Sequence, residues 1–65
     1  MNPRRDATPS RIMTAAEVAQ YFKIHLSTVY RLARRRQIPA FKVGGNYRFD
    51  RDAIEKWMVD QQVNE

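Results

Sequence analysis

Two short helical patterns followed by a hairpin signal, all within one segment that lacks carboxylates, constrain this chain more than any other feature. The segment 18–49, called the basic segment below, holds seven Lys and Arg residues and no Asp or Glu, although the 65-residue chain contains seven acidic residues. Its basic residues are Lys23, Arg31, Arg34, Arg35, Arg36, Lys42 and Arg48. Because the positive charge is concentrated in this way, the formal net charge of +5 understates it. A basic surface built on helix, turn, helix and hairpin indicates a polyanionic partner.

Length and composition exclude several other classes of protein. A chain of 65 residues makes one domain, and a domain of this size buries roughly 60% of the surface that its unfolded form exposes, so we expect no deep catalytic cleft. The chain has no cysteine for a disulfide or a thiolate metal site, and its one histidine, His25, has no second histidine to complete a metal site. No apolar run approaches the ~20 residues of a membrane span, and the polar N-terminus is unlike a signal peptide. We therefore expect a cytoplasmic protein that is not an enzyme and needs no cofactor.

The first helix is predicted over residues 15–22. Thr14 and Glu17 have the spacing of a capping box, in which each side chain accepts a hydrogen bond from the backbone N–H of the other residue. Met13 and Val18 stand at the spacing of a hydrophobic staple across the same helix start. These signals all lie within six residues, so we expect the helix to begin where they place it.

The second helix is predicted to begin near Leu26 and to run to about Arg35, since Pro39 disfavours helical geometry at Ile38. At 100° per residue, one side of this helix is apolar and the other is polar. The apolar side comprises Leu26, Val29, Leu32 and Ala33, the polar side comprises Ser27, Arg31, Arg34 and Arg35, and Thr28 and Tyr30 lie on the flanks.

Alternating segments on both sides of Gly44-Gly45-Asn46 predict a β-hairpin, with the two glycines and Asn46 supplying the positive-φ positions of the turn. The alternation predicts one buried face made by Phe41, Val43, Tyr47 and Phe49. Lys42 and Arg48 would then project together from the other face. Because an isolated two-stranded hairpin is only marginally stable, it should pack against the helices.

A third helix is predicted to begin after Asp50, which is an N-cap candidate, and to run to about Val59. Phe49 and Ile54 stand at the spacing of a second staple. We therefore divide the chain into a disordered leader (1–11), a folded domain (12–59) and a flexible tail (60–65). The residues expected to be buried together are Val18, Phe22, Val29, Leu32, Phe41, Ile54 and Trp57.

In this order and at these separations, the pieces resemble the excisionase-family DNA-binding domain, a small MerR-like winged helix-turn-helix. MTAAEVAQYFKI is similar to the first helix and turn, STVYRLARR to the recognition helix, IPAFKVGGNYRF to the wing and DRDAIEKWM to the closing helix. The resemblance covers residues 13–58. It implies a small α+β fold, with a three-helix core and a two-stranded β-hairpin as the wing. It also implies that the second helix reads the major groove, while the wing touches the neighbouring minor groove or the DNA backbone.

Candidate DNA-binding residues follow from this resemblance and from the polar side of the second helix. In the recognition helix they are Ser27, Thr28, Tyr30, Arg31, Arg34 and Arg35. In the wing and against the DNA backbone they are Arg36, Lys42, Gly45, Asn46 and Arg48. Arginine suits both roles, because its guanidinium binds guanine O6 and N7 bidentately or binds a phosphate. We expect Tyr30 to contact a phosphate by its edge and Tyr47 to pack.

Two positions depart from the family's pattern. The residue before the recognition helix is often Ser, Thr or Asp and is His25 here; Ser27 is an alternative cap that would shorten the helix by a turn. The residue after the helix is often glycine and is Arg36 here, whose left-handed conformation would cost on the order of 1 kcal/mol relative to glycine. Alternatively, the helix ends differently and Arg36 is kept for a phosphate contact.

Double-stranded DNA is therefore the expected partner, with an integrase or recombinase, or RNA polymerase, as the neighbouring protein and with no membrane. The sequence does not separate a recombination directionality factor from a small transcription regulator. The alternative function is a protein-protein adaptor or an RNA-binding module that uses the basic face. MerR-type regulators dimerise through a long C-terminal helix, and this chain ends about six residues after its third helix. We thus expect either a monomer that assembles cooperatively on repeated sites or a fragment of a longer protein.

Overall fold

A computed structural model describes residues 11–62, so the predictions made for residues 1–10 of the leader and 63–65 of the tail lie outside the described residues. The elements in chain order are β1 (Ile12–Thr14), α1 (Ala15–Phe22), α2 (Leu26–Arg34), β2 (Phe41–Val43), β3 (Asn46–Asp50) and α3 (Arg51–Asp60). The strands form one antiparallel sheet in the order β1-β3-β2. This arrangement confirms the predicted small α+β fold, in which β2, β3 and their turn form the wing.

Side-chain caps define where α1 and α3 begin. The Thr14 Oγ1 atom accepts from the Glu17 backbone N–H at 3.1 Å, and the Glu17 Oε1 atom accepts from the Thr14 backbone N–H at 2.8 Å. The capping box is therefore confirmed, and α1 has the predicted bounds. Asp50 caps α3 in the predicted way, since its Oδ2 atom accepts from the Ala53 N–H at 3.2 Å.

Helix α2 begins at the predicted residue without a side-chain cap. His25 occupies the N-cap position with an extended backbone, and its side chain makes no capping hydrogen bond. The alternative in which Ser27 caps a shorter helix is therefore wrong. Instead of a side-chain cap, the start of α2 has backbone hydrogen bonds, in which the His25 carbonyl accepts from the N–H groups of Thr28 and Val29 at 3.0 and 3.3 Å.

Helices α1 and α2 end in the same way, with a basic residue in the left-handed conformation. Lys23 has φ 59° and Arg36 has φ 57°. The N–H of each donates to the carbonyl three residues earlier, at 3.2 and 3.1 Å, and the N–H of the next residue donates to the carbonyl five residues earlier, at 3.0 and 2.9 Å. These paired bonds are a Schellman motif, whose left-handed position favours glycine. The left-handed conformation considered for Arg36 is confirmed.

The sheet has a third strand that the sequence analysis missed. Strand β1 pairs with β3, so that Met13 lies opposite Phe49. Arg11, which we assigned to the leader, extends this contact: its Nε atom donates to Asp50 Oδ1 at 2.5 Å. The predicted two-stranded wing is therefore part of a three-stranded sheet, in which β1 pairs with strand β3 of the wing.

The register of the wing differs from the prediction by one residue. Val43 pairs with Asn46, so the turn consists of Gly44 and Gly45 alone, at φ 58° and 86°. Two consecutive positive φ values are typical of the type I′ turn that joins two-residue hairpins. Asn46 does not have a positive φ and is the first residue of β3, so its assignment to the turn was wrong.

A shift of one residue in register moves side chains to the other face of a strand. Lys42 lies opposite Tyr47, and Phe41 lies opposite Arg48. The predicted common buried face is therefore wrong, and Phe41 is 43% exposed. Lys42 and Arg48 do not project together, because they lie on opposite faces of the wing.

The core is formed by small and medium-sized side chains. Its buried members are Met13, Ala15, Val18, Ala19, Val29, Ala33, Ile38, Phe49 and Ile54. Of the predicted core, Val18, Val29 and Ile54 are fully buried, Phe22, Leu32 and Trp57 are half-buried at its margin, and Phe41 is outside it. Phe49, not Trp57, is the largest side chain with no exposed surface.

Trp57 closes one edge of the core. Its ring meets the Phe22 ring edge to face, with 5.6 Å between the centroids. Its Nε1–H donates to the Gln37 carbonyl at 2.9 Å. Because Gln37 follows α2, this bond fixes the linker between α2 and the wing to α3.

Candidate nucleic-acid interface

Helix α2 presents a polar face to solvent and an apolar face to the core. Val29 and Ala33 are buried, and Thr28 and Leu32 are half-buried. The exposed side chains of the helix include Ser27, Tyr30, Arg31 and Arg34, and Arg35 and Arg36 continue this exposed row beyond the helix end. Leu26, predicted on the buried side, is 42% exposed. The first turn of α2 is therefore more open than the apolar stripe predicts.

The positive charge of this face is not neutralised by neighbouring side chains. Within residues 11–62, the ion pairs join Arg11 to Asp50 and, at 3.9 Å, to Asp52. Arg11 lies outside the basic segment. The cations of α2 and the wing therefore have no carboxylate partner in the described part of the chain, which leaves their charge available to a polyanion.

Lys42 and two tyrosines connect the wing to α2. The Lys42 Nζ atom lies 5.0 Å from the centroid of the Tyr47 ring, within the range of a cation–π interaction. The Tyr47 ring in turn lies 6.2 Å from the Tyr30 ring, centroid to centroid, at an interplanar angle of 47°. We call Tyr30, Tyr47 and Lys42 the aromatic bridge. It places the Lys42 ammonium on the same side of the sheet as α2, and Tyr47 is half-buried, as its predicted packing role requires.

Arg48 lies on the other face of the sheet. Its neighbours on that face are Thr14 and Phe41, to which it pairs across the strands. The Arg48 side chain is half-buried, and its Nη1 atom donates to the backbone carbonyl of Tyr47 at 2.9 Å. The structure therefore brings Lys42 toward α2 but does not bring Arg48 there.

The tip of the wing is open. Gly44, Gly45 and Asn46 are exposed, and a Cβ added at either glycine would meet no atom within 4 Å. The glycines are therefore required by their positive φ and not by crowding. An exposed backbone without bulky side chains can approach a partner's backbone closely.

A groove of about 710 Å³ separates the end of α2 from the wing. Three of its lining residues are basic, three are aromatic and none is acidic; they are Arg34, Arg36, Lys42, Phe41, Tyr47 and Trp57. These residues come from α2, the linker, the wing and α3, and only the folded chain brings them together. The sequence analysis identified the basic members but did not place the aromatic residues beside them in one groove.

The Arg11–Asp50 pair stabilises the opposite edge of the sheet. The hydrogen bond from Arg11 lowers the pKa of the Asp50 carboxyl below its usual range; partial desolvation opposes this shift, and the Ala53 N–H adds to it. The same pair raises the pKa of Arg11. Asp50 therefore serves as helix cap and ion-pair partner at once, away from α2.

Two further features of the described part of the chain concern other kinds of site. Among residues 11–62, no group of three His, Cys, Asp or Glu side chains stands close enough to hold a metal ion. None of the three helices described is long and apolar enough to cross a membrane.

The chain matches the model of a known protein family. A family model described as a helix-turn-helix domain matches residues 12–61, a segment that contains every element from β1 to α3. No curated protein and no solved structure matches the chain.

Proposed function

Since the chain belongs to the helix-turn-helix domain family, which includes excisionase-like DNA-binding domains, we propose that it binds double-stranded DNA with α2 in the major groove and with the wing as an anchor. Membership of this family by itself indicates DNA binding. The observation that carries the finer proposal is the exposed arginine row of α2, which has no carboxylate partner within residues 11–62.

The geometry of α2 suits it to reading base edges. At 100° per residue, Arg31 lies about 200° around the helix from the buried Val29, so its side chain points most directly away from the core. Ser27 lies one turn earlier on the same exposed side. We propose that Arg31 contacts a guanine edge, that Ser27, Thr28 and Arg35 flank it, and that Tyr30 and Arg34 contact phosphates or bases nearest the wing.

The wing is proposed to position the protein without reading much sequence. Lys42 is directed toward the side of α2 by the aromatic bridge, and Gly45 and Asn46 offer an open backbone at the tip. Contacts from such groups to phosphates or to the minor groove carry little base information. Arg48 is a weaker candidate for this role than Lys42, because it lies on the other face and already donates to a backbone carbonyl.

Salt dependence tests the proposal. Neutralising about five phosphates should give a slope of log K against log salt near −4 to −5 on duplex DNA. We expect a site obtained by selection to bind more tightly than a scrambled duplex of the same length at every salt concentration. A slope shallower than about −2, or equal affinity for an acidic protein or for RNA, would favour the adaptor or RNA-binding alternative.

The biological role proposed for this contact is that of a recombination directionality factor or a small transcription regulator. Both roles require a bound site and a neighbouring protein, an integrase or recombinase in the first case and RNA polymerase in the second. Footprints on a selected site, measured with and without each neighbour, distinguish the two roles. They also show whether one copy or several adjacent copies occupy the site.

A further inference from the structure

Lys23 and Arg36 share a backbone conformation that their side chains disfavour. They are the only residues other than glycine with positive φ in the described range 11–62. Both are exposed, and neither forms an ion pair within that range. Glycine adopts this conformation without the steric penalty that a Cβ imposes. The chain therefore has a cation at two positions where any residue with a Cβ is less favourable than glycine.

These two residues flank α2. Lys23 precedes the first residue of the helix by three positions, and Arg36 follows the last by two. The nine residues of α2 span about 13 Å at 1.5 Å per residue. The major groove of B-DNA is about 12 Å wide. A helix of this length that lies across the groove reaches from one side to the other, so a charge just beyond each end of α2 would meet one of the two bordering phosphate backbones.

Interaction with helix dipoles explains Arg36 poorly. A cation at a helix C-terminus is favourable, but this effect falls off within the last turn, and Arg36 lies two positions beyond the end of α2. Helix α2 already carries Arg31 and Arg34 in its last turn. The last turn of α1 carries no basic residue, so the dipole of α1 accounts for part of the benefit of Lys23. The dipole of α2 does not account for Arg36 in the same way.

We propose that Lys23 and Arg36 form a phosphate clamp, in which each residue contacts a phosphate on one of the two DNA strands that border the major groove occupied by α2. Lys23 acts as a point charge, and the planar guanidinium of Arg36 binds a phosphate through two N–H groups. The clamp rests on the proposed function and adds to the interface Lys23, which belongs to the basic segment but was not among the candidate DNA-binding residues.

The test replaces each residue by glycine and measures folding and DNA binding on the same samples. Lys23→Gly and Arg36→Gly should raise the midpoint of thermal unfolding, Arg36→Gly by more, because α2 keeps other cations near its C-terminus. Each variant should also weaken binding to every duplex and reduce the salt slope by about 0.9, the value for one lost phosphate contact. The double variant should lose both contacts and reduce the slope by about twice as much.

Two controls separate the clamp from general charge and from the proposed function. Lys23→Arg should keep the wild-type slope, and Lys56→Gln, which removes an exposed cation from α3, should leave the slope unchanged. A wild-type slope near zero would refute DNA binding itself. A steep wild-type slope that both glycine variants retain would refute the clamp alone, and lower unfolding midpoints in these variants would contradict the strain on which it is based.

Discussion

The two outer strands of the sheet flank the same central strand, β3, but are held in different ways. On the β1 side, Met13 packs opposite the fully buried Phe49, and Arg11 neutralises Asp50. On the β2 side, Phe41 and Val43 remain exposed, and Lys42 has an aromatic ring as its partner instead of a carboxylate. The buried apolar contact and the neutralised charge of the sheet therefore both lie at the β1 edge. The other edge is left open and positive, as a surface for a polyanion should be.

The difference between the edges bears on how the wing works. A hairpin of two strands is marginal in isolation, and here β1 and the core stabilise it through β3. Because β1 and the core support β3, the residues of β2 and of the turn are not needed for burial. They can therefore serve in contacts with DNA. The prediction for each edge can therefore be tested with matched residues.

The largest expected effect distinguishes the two phenylalanines of the hairpin. Phe49→Ala should destabilise the protein by about 3–5 kcal/mol, because it removes the largest fully buried side chain, and a loss of this size can unfold a domain so small. Phe41→Ala should cost less than about 1 kcal/mol, since that ring is largely outside the core. Urea unfolding of both variants measures the difference. Equal losses of stability in the two variants would indicate the register in which Phe41 is buried.

The next effect separates reading from anchoring in DNA binding. Arg31→Ala should cost ~1–3 kcal/mol at a selected site, relax preference at one base pair and cost less on scrambled DNA. Lys42→Ala should weaken binding to every duplex by a similar factor and lower the salt slope by about one unit. Titration of each variant against a selected and a scrambled duplex measures both quantities.

Arg48→Ala is the matched control for Lys42→Ala, because both remove one cation from the wing but from opposite faces. It should change the salt slope less than Lys42→Ala does. If Arg48→Ala produces the larger change, the outer face of the sheet is the one that meets DNA. If Arg31→Ala loses the same factor on both duplexes while Lys42→Ala loses discrimination, the roles of α2 and the wing are reversed.

The smallest expected effect concerns acid and the β1 edge. The folded state lowers the pKa of Asp50, so its contribution to stability is complete above the unfolded value of about 3.9 and is lost as the pH falls through the lower, folded value. Asp50→Asn keeps a good helix cap but loses the charge that Arg11 binds. Its unfolding midpoint at pH 7 should fall slightly, and the gap to wild type should close as the pH falls below about 3.9. A gap that is the same at pH 7 and pH 2 would show that the ion pair does not contribute.

Features that depend on near neighbours in the chain were predictable. The capping box of Thr14 and Glu17 and the cap at Asp50 each join residues three positions apart, so the sequence contains both partners of every bond. The bounds of α1 were predicted for the same reason, whereas the start of α2, which has no side-chain cap, was predicted from helical periodicity. The location of the basic face was predictable from helical periodicity, since α2 buries Val29 and Ala33 and exposes Arg31 and Arg34.

The strand pairing of the wing was not predictable from near neighbours in the chain. Gly44-Gly45 and Gly44-Gly45-Asn46 are both plausible turns in the sequence, yet the choice between them reverses the face of every residue in β2. Strand β1 was missed because its partner lies 36 residues later in the chain and its three residues resemble the flank of a helix cap. The local sequence pattern determines neither the register of β2 nor the pairing of β1.

The sequence by itself determined the order of the helices, their caps, the position of the turn glycines and the segregation of positive charge, because each depends on residues a few positions apart. Only the tertiary structure decided which wing cation stands beside α2 and that Tyr30 and Tyr47 link the wing to this helix. The physical reason is that these features follow from strand pairing and core packing across the whole chain. Burying Phe49 directs Tyr47 to the core side of β3 and Arg48 to the other face, and the register of β2 against β3 then places Lys42 beside Tyr47.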